Sequence, residues 1–155
     1  MMTGMDALIQ VVTAFFGTLG FGITFNSRGK KLWLAALGGM LGWAMYLLLG
    51  LVLESEPMRY FIVSVVTSAY AEIMARVCKT PASTFCILAL VPLIPGGGLY
   101  YSADFALSGD MTRFLQKALA TLELTVALSL GIVLVAAFAK FFASVRRKRK
   151  NRPCR

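Results

Sequence analysis

The chain has 155 residues, enough for one ordinary domain, and 58% of them are hydrophobic while only 15% are charged. Average soluble domains carry roughly 25% charged residues, so these side chains cannot cover a water-soluble globule of this size, and the same composition excludes intrinsic disorder. Histidine is absent, which removes His-based triads and His-metal sites, and the net charge of +9 is local, because seven of the 16 basic residues fall within 146–155.

A bilayer core of roughly 30 Å takes about 20 apolar residues as a helix. Five stretches meet or approach that length. The first, 5–25, has Asp6 at its edge, and the second, 32–53, has no charge. The third, 60–77, is apolar up to Glu72, and the fourth, 81–103, is uncharged but interrupted by Pro92, Pro95 and Gly96-Gly97-Gly98. The fifth, 118–142, has Glu123 inside. Polar connectors fall at 26–31, 54–59, 78–80 and 104–117, the last long enough for a short interfacial helix with Ser108 or Asp110 as its N-cap. Backbone groups in lipid must bond within their own segment or in a closed barrel. A barrel would show alternating ten-residue segments, whereas 32–53 is a solid apolar run. The expected fold is therefore all-α: a polytopic membrane bundle of about five helices over 1–145, one of them broken, followed by a basic cytoplasmic tail over 146–155.

Orientation follows from lysine and arginine. With the N-terminus outside and the C-terminus inside, 13 basic residues lie on the inner side and three (Arg59, Arg113, Lys117) on the outer. Asp6, Glu54, Glu56, Asp104 and Asp110 collect outside. In the first segment the positive charges follow the apolar run, which reads as an uncleaved, N-outside anchor. The tail suits anionic inner-leaflet lipid. Cys78, Cys86 and Cys154 form no CxxC and suggest neither a disulfide framework nor a zinc site.

Ionisable groups at membrane depth are costly. Glu72 lies four residues before Arg76, so the two share a helix face. They fit either an interfacial salt bridge or a buried carboxylate that binds a proton or a cationic group. Glu123 fits a side chain reaching the outer headgroups or a second membrane acid. The run Val91-Pro92-Leu93-Ile94-Pro95-Gly96-Gly97-Gly98-Leu99-Tyr100-Tyr101 cannot continue a smooth helix, since two backbone donors are missing and three glycines follow. Broken helices at membrane depth line substrate paths in transporters, and they also serve as plain structural turns. No Lys-Ser/Thr follows the glycines, so this is not a phosphate loop. In the second span, Ala35/Gly39/Trp43 and Gly38/Gly42/Tyr46 recur at four-residue spacing, as close helix packing requires; Gly38, Gly39 and Gly42 are the packing candidates.

The segments 20–46 (GFGITFNSRGKKLWLAALGGMLGWAMY), Ala71-Glu72-Ile73-Met74-Ala75-Arg76 with Lys79-Thr80-Pro81, and Pro92-Leu93-Ile94-Pro95-Gly96-Gly97-Gly98-Leu99-Tyr100 resemble, in that order and spacing, the threonine/serine exporter (ThrE) family. More narrowly, the chain resembles the small split-subunit, YjjB-like type, which corresponds to the C-terminal membrane half of the full-length exporters. Ser27-Arg28-Gly29 departs from the pattern, in which a proline follows soon after the Phe25-Asn26 position. The resemblance implies export of small polar metabolites from the bacterial cytoplasm across the inner membrane, driven by the proton-motive force. The substrates implied are threonine and serine or, for the split type, a dicarboxylate such as succinate. It also implies a larger partner subunit carrying the N-terminal half.

Together these readings point to a transporter subunit rather than an enzyme, with no cofactor and no metal. Glu72, Arg76, Pro92, Pro95, Gly96, Gly97 and Gly98 are the expected substrate or proton path, with Asn26, Tyr100 and Glu123 as further candidates. A non-transporting scaffold subunit and a homo-oligomeric channel are the alternatives.

Overall fold

The computed structural model describes residues 4–150, with side chains as far as Val145; 1–3 and 151–155, the end of the expected basic tail, lie outside the described residues. Six helices follow in chain order: α1 (Gly4–Thr24), α2 (Lys30–Leu49), α3 (Glu56–Val77), α4 (Ala82–Leu90), α5 (Gly96–Leu107) and α6 (Met111–Lys150). A 3-10 turn, Val91–Leu93, joins α4 to α5. The all-α expectation holds. By length and composition α1, α2, α3 and α6 can each cross a bilayer, and α4 with α5, bent by 58° at their junction, makes a fifth candidate.

The helix ends follow from local chemistry. Asn26, Lys79 and Gly109 take left-handed backbone angles after α1, α3 and α5 (φ 54°, 49° and 77°). In each case the next N–H reaches back five residues, as in Ser27 to the Gly22 carbonyl at 2.9 Å and Thr80 to the Ala75 carbonyl at 3.0 Å. This double-bonded ending satisfies the last carbonyls without a proline.

Two boundaries differ from the sequence expectation. The span 32–53 is shorter than its hydropathy suggests: α2 stops at Leu49, and Leu51 and Val52 lie 84% and 80% exposed in the turn beyond Gly50. There is also no long connector over 104–117. A three-residue turn, Ser108 to Asp110, leads directly into α6, a single helix of 40 residues. At 1.5 Å per residue that is roughly 60 Å, about twice a bilayer core. Asp110, one of the two expected N-caps, accepts the Arg113 N–H at 3.1 Å, while Ser108 closes α5 instead. Arg113, Gln116 and Lys117 interrupt hydropathy but not helix propensity, and so the helix begins well before the apolar run.

Helix α3 packs against α2, α4 and α6; α1 lies on α2, and α5 on α6. One apolar cluster joins Ala35, Ala71, Ala75, Phe85 and Leu88, and a second joins Tyr60, Val63, Leu90, Leu93 and Leu128. The glycines of α2 serve two neighbours: a Cβ on Gly39 would run into Thr18 of α1, while on Gly38 and Gly42 it would meet Tyr70 and Thr67 of α3 at 2.7 and 2.9 Å. In lipid, such close approach replaces hydrophobic burial as the source of helix association. Thr18 donates to the Ala14 carbonyl one turn back at 2.8 Å, and Tyr70 donates across to the Leu34 carbonyl of α2 at 2.8 Å, whereas the Thr67 hydroxyl is buried with no hydrogen-bond partner.

Candidate functional site: two cavities along one helix seam

Gly131 of α6 lies against α3 so tightly that a Cβ there would run into Ser64 Oγ and stand 2.9 Å from the Phe61 carbonyl. Around this crossing, Val63, Leu90, Leu93 and Leu128 pack into a closed layer. To either side the helices part, and each opening is a cavity.

The first cavity, about 270 Å³, lies toward the start of α3 and α6 and is built around the Pro/Gly box. Pro92 sits in the 3-10 turn and Pro95 precedes the first residue of α5. Gly96, Gly97 and Gly98 are not unwound; they form the first turn of α5 and line the cavity. Gly98 is needed for packing, since a Cβ would strike the Thr121 side chain, whereas Gly97 has open space beside it. No side chain caps this helix start; the Gly96 N–H donates to the Ile94 carbonyl at 2.7 Å. Glu56 and Tyr60 of α3, Trp43 of α2, and Lys117 and Thr121 of α6 complete the lining. The aromatic side is fixed: the Trp43 ring stacks on Tyr46 with centroids 5.2 Å apart, and its Nε1–H donates to Gln10 at 3.3 Å.

The second cavity, about 410 Å³, lies beyond the packed layer between α3, α4 and α6. Glu72 and Ser68 come from α3, Ser83 and Cys86 from α4, and Lys140 from α6. Glu72 pairs with Arg76 at 3.7 Å, as the four-residue spacing predicts. The pair is loose, with the Arg76 side chain 56% exposed and that of Glu72 26% exposed. Exposed pairs of this geometry contribute at most about 1 kcal/mol.

The expected path residues are therefore divided. Pro92, Pro95 and the three glycines line the first cavity (Pro92 also borders an opening beside α1) and Glu72 the second, with Glu56 and Glu72 16 positions, roughly 24 Å, apart on α3. Asn26, Tyr100 and Glu123 line neither; all three are exposed. Asn26 serves as the left-handed cap of α1, and Tyr100 stacks edge-on against Tyr101 at 5.4 Å. Sequence reasoning passed over Glu56 and Lys117, which it read as connector charges, and Lys140, which it read only as an inner-side cation. The available signal was that Lys117 and Lys140 bracket the apolar run of α6; their rotation toward α3 is a tertiary fact.

A family profile described as "Threonine/Serine exporter, ThrE" matches residues 10–138. The chain belongs to the threonine/serine exporter family. No curated protein matches it, and no solved structure does. The ThrE match takes in the whole box, the Glu72–Arg76 pair and the packed layer, and Lys140 lies two residues beyond it. Membership in a family of exporters, together with the membrane-length helices, makes this ThrE chain a multi-pass membrane protein of transport.

Proposed function

We propose that the chain is the membrane subunit of a secondary exporter in the bacterial inner membrane. In this reading it moves small polar metabolites outward at the expense of the proton-motive force, together with a larger partner subunit that supplies the other half of the path. Threonine and serine, or a dicarboxylate such as succinate, are the substrates. One observation carries the reading: two cavities on the same α3–α6 seam stand on opposite sides of a closed layer, and one of them is built from a broken helix. Alternating access needs two vestibules and a barrier between them. Pro92, Pro95 and Gly96 to Gly98 shape one vestibule. Glu72, paired with Arg76, is the acid of the other.

The test is efflux of radiolabelled threonine, serine and succinate from vesicles carrying this chain, with and without the partner. The reading expects uphill efflux of at least one solute, abolished by an uncoupler and absent when either chain is missing. Efflux that ignores the uncoupler supports the channel alternative. Full efflux from the partner alone supports the scaffold alternative.

A further inference from the structure

The cavity between α3, α4 and α6 presents opposite charges from two different helices. Glu72 is on the α3 side, held only loosely by Arg76. Lys140 lines it from α6 and makes no ion pair among the described residues. The rest of the wall is mostly small or apolar, with Ser83 adding a hydroxyl. At about 410 Å³ the space falls within the range of small-molecule sites. Charges facing an apolar cavity act more strongly on a guest than they would in water.

We infer that this cavity is a docking site for a small solute bearing a carboxylate, anchored by Lys140, with Glu72 facing the solute's other end. The ammonium of Lys140 supplies a point charge and up to three donors for that carboxylate. The Glu72 carboxylate accepts from an ammonium or hydroxyl and repels a second carboxylate. The arrangement therefore takes an amphoteric solute in preference to a dicarboxylate. The inference rests on the exporter reading and adds to it a specificity-determining residue.

Cys86 on the cavity wall is a built-in reporter. In membranes containing the full chain with Cys78 and Cys154 replaced by serine, the rate of Cys86 alkylation by N-ethylmaleimide is measured against four solutes. These are serine, 3-hydroxypropionate (carboxylate without ammonium), ethanolamine (ammonium without carboxylate) and succinate. Ser83→Cys with Cys86→Ser gives a second, more exposed reporter. Serine is expected to protect at lower concentration than any of the other three. Lys140→Gln is expected to raise the serine concentration for half-protection about tenfold, the scale of one charge-assisted contact, and Lys140→Arg to restore most of it. Lys140→Gln leaves ethanolamine protection in place, whereas Glu72→Gln removes it. Serine protecting Lys140→Gln as well as the parent overturns the inference. So does succinate protecting at lower concentration than serine, or the absence of protection at both reporters. Lost protection beside normal vesicle efflux removes this site alone; normal protection without efflux in any vesicle removes the exporter reading and leaves the site.

Discussion

The two cavities of the α3–α6 seam are made by different means. The box cavity is a backbone construction: Pro92 and Pro95 end one helix, and Gly98 lets the first turn of the next pack against Thr121. The Glu72 cavity is a side-chain construction, formed where α3 and α6 part beyond Gly131 and given its charge by residues far apart in the chain. A backbone break marks the place where a membrane helix must find other partners for its polar groups. A charge on an intact helix acquires meaning only from what the neighbouring helix turns toward it.

That contrast can be broken most severely at the layer between the cavities. Gly131→Val forces a branched side chain into Ser64 and the Phe61 carbonyl, and overpacking of this kind costs about 2 kcal/mol. A clear drop in melting temperature in detergent is expected, partly restored by adding Ser64→Gly; an unchanged melting curve would mean that the helices do not approach so closely. Next comes the charged cavity. Glu72→Gln is expected to lower efflux about tenfold, one charge-assisted contact, at normal membrane insertion, and full export by a well-inserted variant would remove Glu72 from the mechanism. For the backbone cavity, Pro92→Ala with Pro95→Ala restores two backbone donors and reduces the 58° bend. Efflux should fall several-fold while the Cys86 alkylation rate stays within twofold of the parent, within the ordinary reach of a distant site; equal changes at both places would join the cavities into one. Gly98→Ala sharpens this locally, because Thr121→Ala in the same chain should recover most of its lost efflux. The smallest effect belongs to the turn outside both cavities, where Asp110→Ala removes an N-cap worth about 1 kcal/mol and leaves efflux intact.

Much of the architecture was legible in the sequence because lipid permits few solutions. The uninterrupted apolar runs could only be helices, and the Pro/Gly box could only break one. Helix ends were legible where a polar residue marked them, as at Asp110, and not where a hydropathy segment ran past a glycine, as at Leu51 and Val52. The start of α6 was hidden because charge was read as connector, although Arg113 and Lys117 are good helix formers. At the site, the Glu72–Arg76 pair was visible from spacing on one helix. That Glu72 and the box belong to separate cavities, and that the exposed Glu56, Lys117 and Lys140 border them, depends on how α6 is rotated against α3. That rotation is set by Gly131 and Ser64, whose significance emerges only in the packed pair.

The central claim is that the cavities are opposite mouths of one path. It is tested most directly by single cysteines in sealed vesicles of known orientation, on a background with Cys78, Cys86 and Cys154 replaced by serine. Gly97→Cys, which has open space in the box cavity, and Ser83→Cys in the other are exposed to a membrane-impermeant maleimide applied from each side in turn. The account predicts that each position reacts from one side only, that the two sides are opposite, and that added substrate changes the two rates in opposite directions. Reaction of both positions from the same side, or of either position equally from both, would contradict it.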